Sequence, residues 1–142
     1  MNKILAPLVV LGLLSGCVTP VQHNTPSGKA ESCVHLPKDQ VRSRIANWLI
    51  DSHFNLTQQS DYLVQGEKPM QGMASFLLAS EYDVTPMARV TFNLLEGQKC
   101  IRVVADLAGI TNAHSAFEKS TPFNNGPDSV NLQNFLNKLE TQ

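Results

Sequence analysis

The chain has 142 residues, 11 Lys and Arg against 12 Asp and Glu, and a formal net charge of −1. Its length suits one domain. The near-even charge, with no basic stripe, gives no electrostatic support for binding nucleic acid, so no nucleic acid partner is expected.

The N-terminus sets the location. Asn2 and Lys3 precede an apolar run from Ile4 to Leu14, interrupted only by Pro7 and Gly12. A membrane-spanning helix needs about twenty apolar residues, and this run is too short. A charged start, a short apolar core and small residues make the layout of a secretory signal peptide. Here the small residues are Ser15 and Gly16, directly followed by a cysteine. Leu14-Ser15-Gly16-Cys17 resembles the lipobox of bacterial lipoproteins. The resemblance implies removal of residues 1–16, lipidation of Cys17 and a membrane partner reached through the lipid. Each buried methylene of such an anchor contributes about 0.8 kcal/mol, and several chains together hold a domain stably. Val18 stands where an Asp tends to retain such proteins at the inner membrane. The resemblance therefore implies an outer-membrane location facing the periplasm.

Residues 17–32 are polar and rich in Thr, Pro, Asn and Ser, which reads as a flexible tether, with His23 solvated within it. Residues 33–142 remain for the domain. Once Cys17 carries lipid, Cys33 and Cys100 are left in an oxidising compartment where thiols tend to pair. A disulfide is the first expectation. Free thiols and a metal site on Cys33 and His35 are the alternatives, the latter weak because Cys-x-His lacks a second ligand pair.

Pro37 opens a helix, with Asp39 in its first turn. Val41, Ile45, Trp48, Leu49 and Ser52 then recur at helical spacing and form its buried stripe. Phe54–Thr57 and Tyr62–Gly66 read as a hairpin, 67–72 as a loop, and Met73–Val84 as a further strand. Ala88, Val90, Phe92 and Leu94 alternate with Arg89, Thr91 and Asn93. Ile101, Val103, Ala105 and Leu107 alternate with Arg102, Val104 and Asp106, so the two runs predict a hairpin with one apolar face. Residues 109–126 read as a long polar loop pinned by Phe117 and Phe123. Asp128 or Ser129 caps a last helix whose stripe is Leu132, Phe135, Leu136 and Leu139.

These elements predict an α+β two-layer sandwich. Its sheet is an antiparallel meander of about five strands, with an N-terminal and a C-terminal helix on one face. In outline it is similar to the helix-on-meander domains of envelope-assembly lipoproteins, a likeness of architecture alone. No Gly-x-Ser-x-Gly, His-Glu-x-x-His, phosphate loop or Cys-His-Asp set is present, so neither enzymatic activity nor a catalytic residue, metal or cofactor is expected. His114 and Glu118, four apart, are too sparse to serve as an acid–base pair. The expectation is an accessory module that contacts an envelope protein through Arg89, Asn93, Arg102 and His114. The alternative is a carrier holding a lipid or small apolar ligand between helices and sheet, walled by Trp48, Phe76, Tyr82 and Phe92.

Overall fold

The computed structural model describes residues 19–72, 78 and 85–141. The expected signal peptide, Cys17, Phe76, Tyr82 and most of the strand expected over Met73–Val84 lie outside these residues. Within them the order is β1 (Ala30–Val34), α1 (Lys38–Asp51), β2 (Asn55–Gln59), β3 (Leu63–Pro69), β4 (Met87–Glu96), β5 (Ile101–Thr111), β6 (Lys119–Pro122) and α2 (Pro127–Lys138).

The α+β sandwich expected from the sequence is the observed architecture. Strands β2 to β5 pair consecutively and antiparallel, giving the order β1-β5-β4-β3-β2. β5 is long enough to serve two partners on its outer edge: Ile101–Ala105 pair with β1, and Ala108–Thr111 pair with β6. Register fixes the two faces. Val90, Phe92 and Leu94 stand opposite Leu107, Ala105 and Val103, and all six are buried beneath the helices. Arg89, Thr91, Asn93, Arg102 and Asp106 point to the other face, because side chains alternate along a strand.

Helix α1 packs over β2 and β3, and α2 packs over β1 and β5. Their seam is aromatic. Trp48 stacks on Phe135 at 4.5 Å between centroids, and Phe92 meets both rings edge-on at 5.8 and 5.9 Å. Such pairs contribute roughly 0.5–1.5 kcal/mol beyond the area they bury. Arg44 Nη1 ties the helices further by donating to the Leu139 carbonyl at 2.6 Å. Gly66 permits the close approach of α1, since a Cβ there would meet Phe54 Cβ at 3.1 Å and Leu49 Cδ2 at 3.2 Å. Two residues past the end of α1, His53 has a left-handed φ of 65°. The turn there is closed by His53 N–H to Ile50 O and Phe54 N–H to Leu49 O, both 2.9 Å, which satisfies carbonyls left over at the helix end.

Several expectations are corrected. The tether expected over residues 17–32 ends early, because Ala30–Ser32 belong to β1, with Ala30 only 1 % exposed. Before β1, Val21 N–H donates to Asn125 O, and His23 Nε2 lies 2.9 Å from the buried Ser129 Oγ. A turn at Thr25–Gly28, with Gly28 at φ 68°, feeds the strand. Polar composition conceals this docking because the bonds run to backbone and hydroxyl groups far along the chain. The expected 67–72 loop is strand as far as Pro69. The expected 109–126 loop begins with the end of β5 and contains β6. Its Phe117 is 78 % exposed and pins nothing. The last helix is capped by Gly126, with Pro127 at its first position and Asp128 in its first turn.

Candidate functional site

The disulfide between Cys33 and Cys100 is formed, with the Cα atoms 5.5 Å apart. It ties the end of β1 to the turn before β5. The free-thiol and metal alternatives therefore fall. His35 instead faces Glu140, with Nδ1 to Oε1 at 2.8 Å. Among the described residues no group of three His, Cys, Asp or Glu side chains is placed to hold a metal ion, and no helix is long and apolar enough to cross a membrane.

Arg89, Asn93 and Arg102 all project from the face of the sheet opposite the helices, and the segment after β5 brings His114 to the same side. The structure thus gathers the four residues singled out by sequence, but it gives Arg89, Arg102 and His114 acidic partners that sequence did not assign. Arg89 donates through Nε to Glu67 Oε1 at 2.5 Å and grips Glu118 with Nη1 and Nη2 at 2.6 and 3.0 Å. His114 Nε2 reaches the second Glu67 oxygen at 2.9 Å. Arg102 holds Glu31 with Nε and Nη2 at 2.5 and 3.0 Å. Asn93 lies between Leu63 and Val104 in register and is half-buried.

Local backbone geometry builds the Arg89 cluster. Asn112 and His114 have left-handed φ values of 52° and 62°, which fold residues 112–118 back across the sheet. His114 N–H then donates to Glu118 Oε2 at 2.9 Å. No helical turn forms there; the two residues meet through backbone, not through the four-residue spacing. Glu67 is only 2 % exposed. A buried carboxylate is tolerated where cations and hydrogen bonds satisfy it. The hydrogen bonds from Arg89, followed by that from the His114 N–H, lower the Glu118 pKa from 4.5 to about 2. Arg102, and to a lesser degree Ser27, do the same for Glu31, also to about 2. Glu118 in turn raises the Arg89 pKa, as Glu31 does that of Arg102.

Further polar groups fill the area between the two clusters. Gln65 Nε2 donates to Thr91 Oγ1 at 2.9 Å, and Asn124 Nδ2 donates to Asp106 Oδ1 at 3.0 Å. Lys29 joins Asp106 at 2.6 Å. Gln65, Arg89, Thr91, Asp106, Ser120 and Asn124 line a cleft of about 300 Å³ here. A different cleft of about 300 Å³ opens beside the helix seam, lined by Trp48, Phe54, Lys68, Val90, Leu107 and Leu132. Lys68 Nζ sits 4.3 Å over the Phe54 ring and donates to Ser52 O at 3.1 Å. Phe92, expected as a cavity wall, is 0 % exposed and belongs to the core.

Glu31, Glu67 and Glu118 are the residues that sequence reasoning left out of the site. Extending the Leu63–Gln65 alternation by one step would have placed Glu67 beside Arg89; Glu31 and Glu118 depend on pairings and turns with no local signature. No family model matches this chain, and no curated protein matches it in sequence.

Proposed function

We propose that this chain is an outer-membrane lipoprotein, anchored through Cys17, whose periplasmic domain binds an envelope protein without catalysis. The observation that carries the reading is Leu14-Ser15-Gly16-Cys17 at the end of a short apolar run. The sheet face turned away from α1 and α2 supports the binding part. Its charges already have partners within the chain, so the surface is preorganised and little ordering is needed when a partner docks. Asn93, Thr91 and Gln65 supply neutral hydrogen-bonding groups at its centre.

Two measurements on the full chain in cells test this. Labelled palmitate is incorporated into the wild-type protein and not into Cys17→Ser. A photocrosslinker at Asn93 gives a discrete band with one envelope protein, and the same probe at exposed Asn134 on α2 gives none. Failure to incorporate lipid removes the anchor. Absence of a band from Asn93, with the protein still in the membrane fraction, removes the binding face.

The seam cleft favours a second reading, in which the domain carries a lipid or small apolar ligand. About 300 Å³ is the lower end of the size range for small-molecule sites. Native mass spectrometry separates the two readings: a carrier shows added mass, and an empty protein that takes up no envelope lipid is not one.

A further inference from the structure

Residues 21–29 run along the domain as a docked strip. The odd-numbered residues from Val21 to Lys29 are half-buried, and the even-numbered ones between them are exposed. The inward groups are tied down one after another. Val21 N–H donates at 2.9 Å to Asn125 O, in the turn between β6 and α2. Ser129 Oγ donates to Gly126 O at 2.6 Å, so it accepts from His23 Nε2 at 2.9 Å. Thr25 Oγ1 donates to Lys29 O at 2.6 Å, and Ser27 N–H to Glu31 Oε2 at 3.1 Å. Lys29 reaches Asp106 on β5 at 2.6 Å. Four peptide units separate Val21 from Cys17, and a chain of that length spans at most about 14 Å. A tether free as far as Ala30 would span up to about 45 Å.

We propose that the domain rests against the phospholipid surface that holds the Cys17 lipid, with the β6–α2 turn and the docked strip towards the headgroups. The inference rests on the lipidation proposed for Cys17 and gives the domain a fixed membrane-facing side. Covalent reach selects the occupant. A lipidated Cys17 lies at the boundary between headgroups and acyl chains. Val21, and with it Asn125 and the start of α2, therefore stays within about 14 Å of that boundary. Gln22, Asn24 and Asn125 are exposed on this side and present uncharged amides, which can hydrogen-bond to headgroup oxygens without burying a charge. Asp128, exposed beside Ser129, adds a negative charge there, so attraction to anionic lipid is not what keeps this side down. The contact is therefore insensitive to salt, unlike one held by surface charge. The opposite edge is set away from the lipid. The order β1-β5-β4-β3-β2 places β2 three strands beyond β5, about 14 Å at the usual spacing. Asn93, on β4, lies between those edges, so a protein that engages it does so beside the bilayer.

The test uses the full chain, purified in detergent from bacterial membranes and returned to vesicles of phosphatidylethanolamine and phosphatidylglycerol that carry nitroxide headgroups. A fluorophore is placed on Asn125→Cys, or on Gln59→Cys of β2. Each is the one free thiol once Cys17 is lipidated and Cys33 is bonded to Cys100. Strong quenching at position 125 and little at position 59, unchanged at high salt, is expected. Two variants test the cause. Val21→Pro with His23→Ala removes the backbone donor and the ring. A flexible Gly/Ser insert of about twelve residues after Val18 keeps every contact and lengthens the tether. Each lowers quenching at position 125 to the level at 59, with the protein still on the vesicles. Lipid-bearing protein that floats with the vesicles but is quenched equally at both positions, or at neither, overturns the inference and leaves the anchor standing. So does undiminished quenching at position 125 in the insert variant. Protein that carries no lipid and stays off the vesicles removes the anchor and this inference together.

Discussion

Glu67 Oε1 lies 2.5 Å from Arg89 Nε, and the Glu67 side chain is only 2 % exposed while Arg89 keeps 19 %. The carboxylate therefore depends on Arg89 far more than a surface acid depends on its partner. Arg89→Met strands a buried charge and releases Glu118 as well. A loss of about 3–5 kcal/mol is expected, read from urea unfolding. Combining it with Glu67→Leu recovers most of the loss. Asp39→Asn, at a residue whose side chain is 82 % exposed in its pair with Arg42, costs about 1 kcal/mol or less. Equal losses for Arg89→Met and Asp39→Asn would contradict this account.

The Cys33–Cys100 bond spans 67 residues of sequence. Closing a loop of that size in the unfolded chain stabilises the fold by about 4 kcal/mol in the chain-entropy treatment. Cys33→Ser with Cys100→Ser removes most of that and leaves the sheet intact. Denaturant titration gives the loss, and circular dichroism checks the strands.

Acid should act through two carboxylates. Glu31 and Glu118 titrate near 4.5 when unpaired and at about 2 in the fold. Their folded values are depressed, so the folded state binds fewer protons than the unfolded chain in that window. Their contribution is complete above the unfolded value and is lost as pH falls through about 2. Unfolding midpoints should fall between those limits, and Glu31→Gln with Glu118→Gln should flatten the decline. An unchanged slope in the double variant would show that other acids govern acid unfolding.

Trp48 is the sole tryptophan and stacks on Phe135 at 4.5 Å, so its fluorescence reports the helix seam. Phe135→Ala should cost about 3–5 kcal/mol and shift the emission to the red as water reaches the ring. Destabilisation with no spectral shift would place the damage elsewhere.

Periodic segments were legible in the sequence and aperiodic ones were not. Val90, Phe92 and Leu94, facing Val103, Ala105 and Leu107, announce themselves by strict alternation, and the α1 stripe does so by helical spacing. β1 has only Ala30 and Val34 as core residues and sits in a polar setting, so its membership in the sheet depends on a pairing with β5 that local pattern does not encode. β6 is wholly exposed and offers no apolar signal. The polar sheet face was legible through its arginines, because Arg89 and Arg102 occupy the polar positions of alternating strands. Their partners were not, since Glu67 fell in an expected loop and Glu118 reaches Arg89 only through two left-handed residues.

The covalent bond at Cys33 also determines how the domain bears load. A pull on the N-terminus first meets the Val21 and His23 contacts and then peels β1 from Ala30 onward. At Cys33 the force passes through sulfur to Cys100. Residues 34–99, which include α1 and strands β2 to β4, lie inside the closed loop and carry none of the tension. The chain can therefore pay out the short stretch ahead of Cys33 as slack, while the central strands and their polar face keep their arrangement.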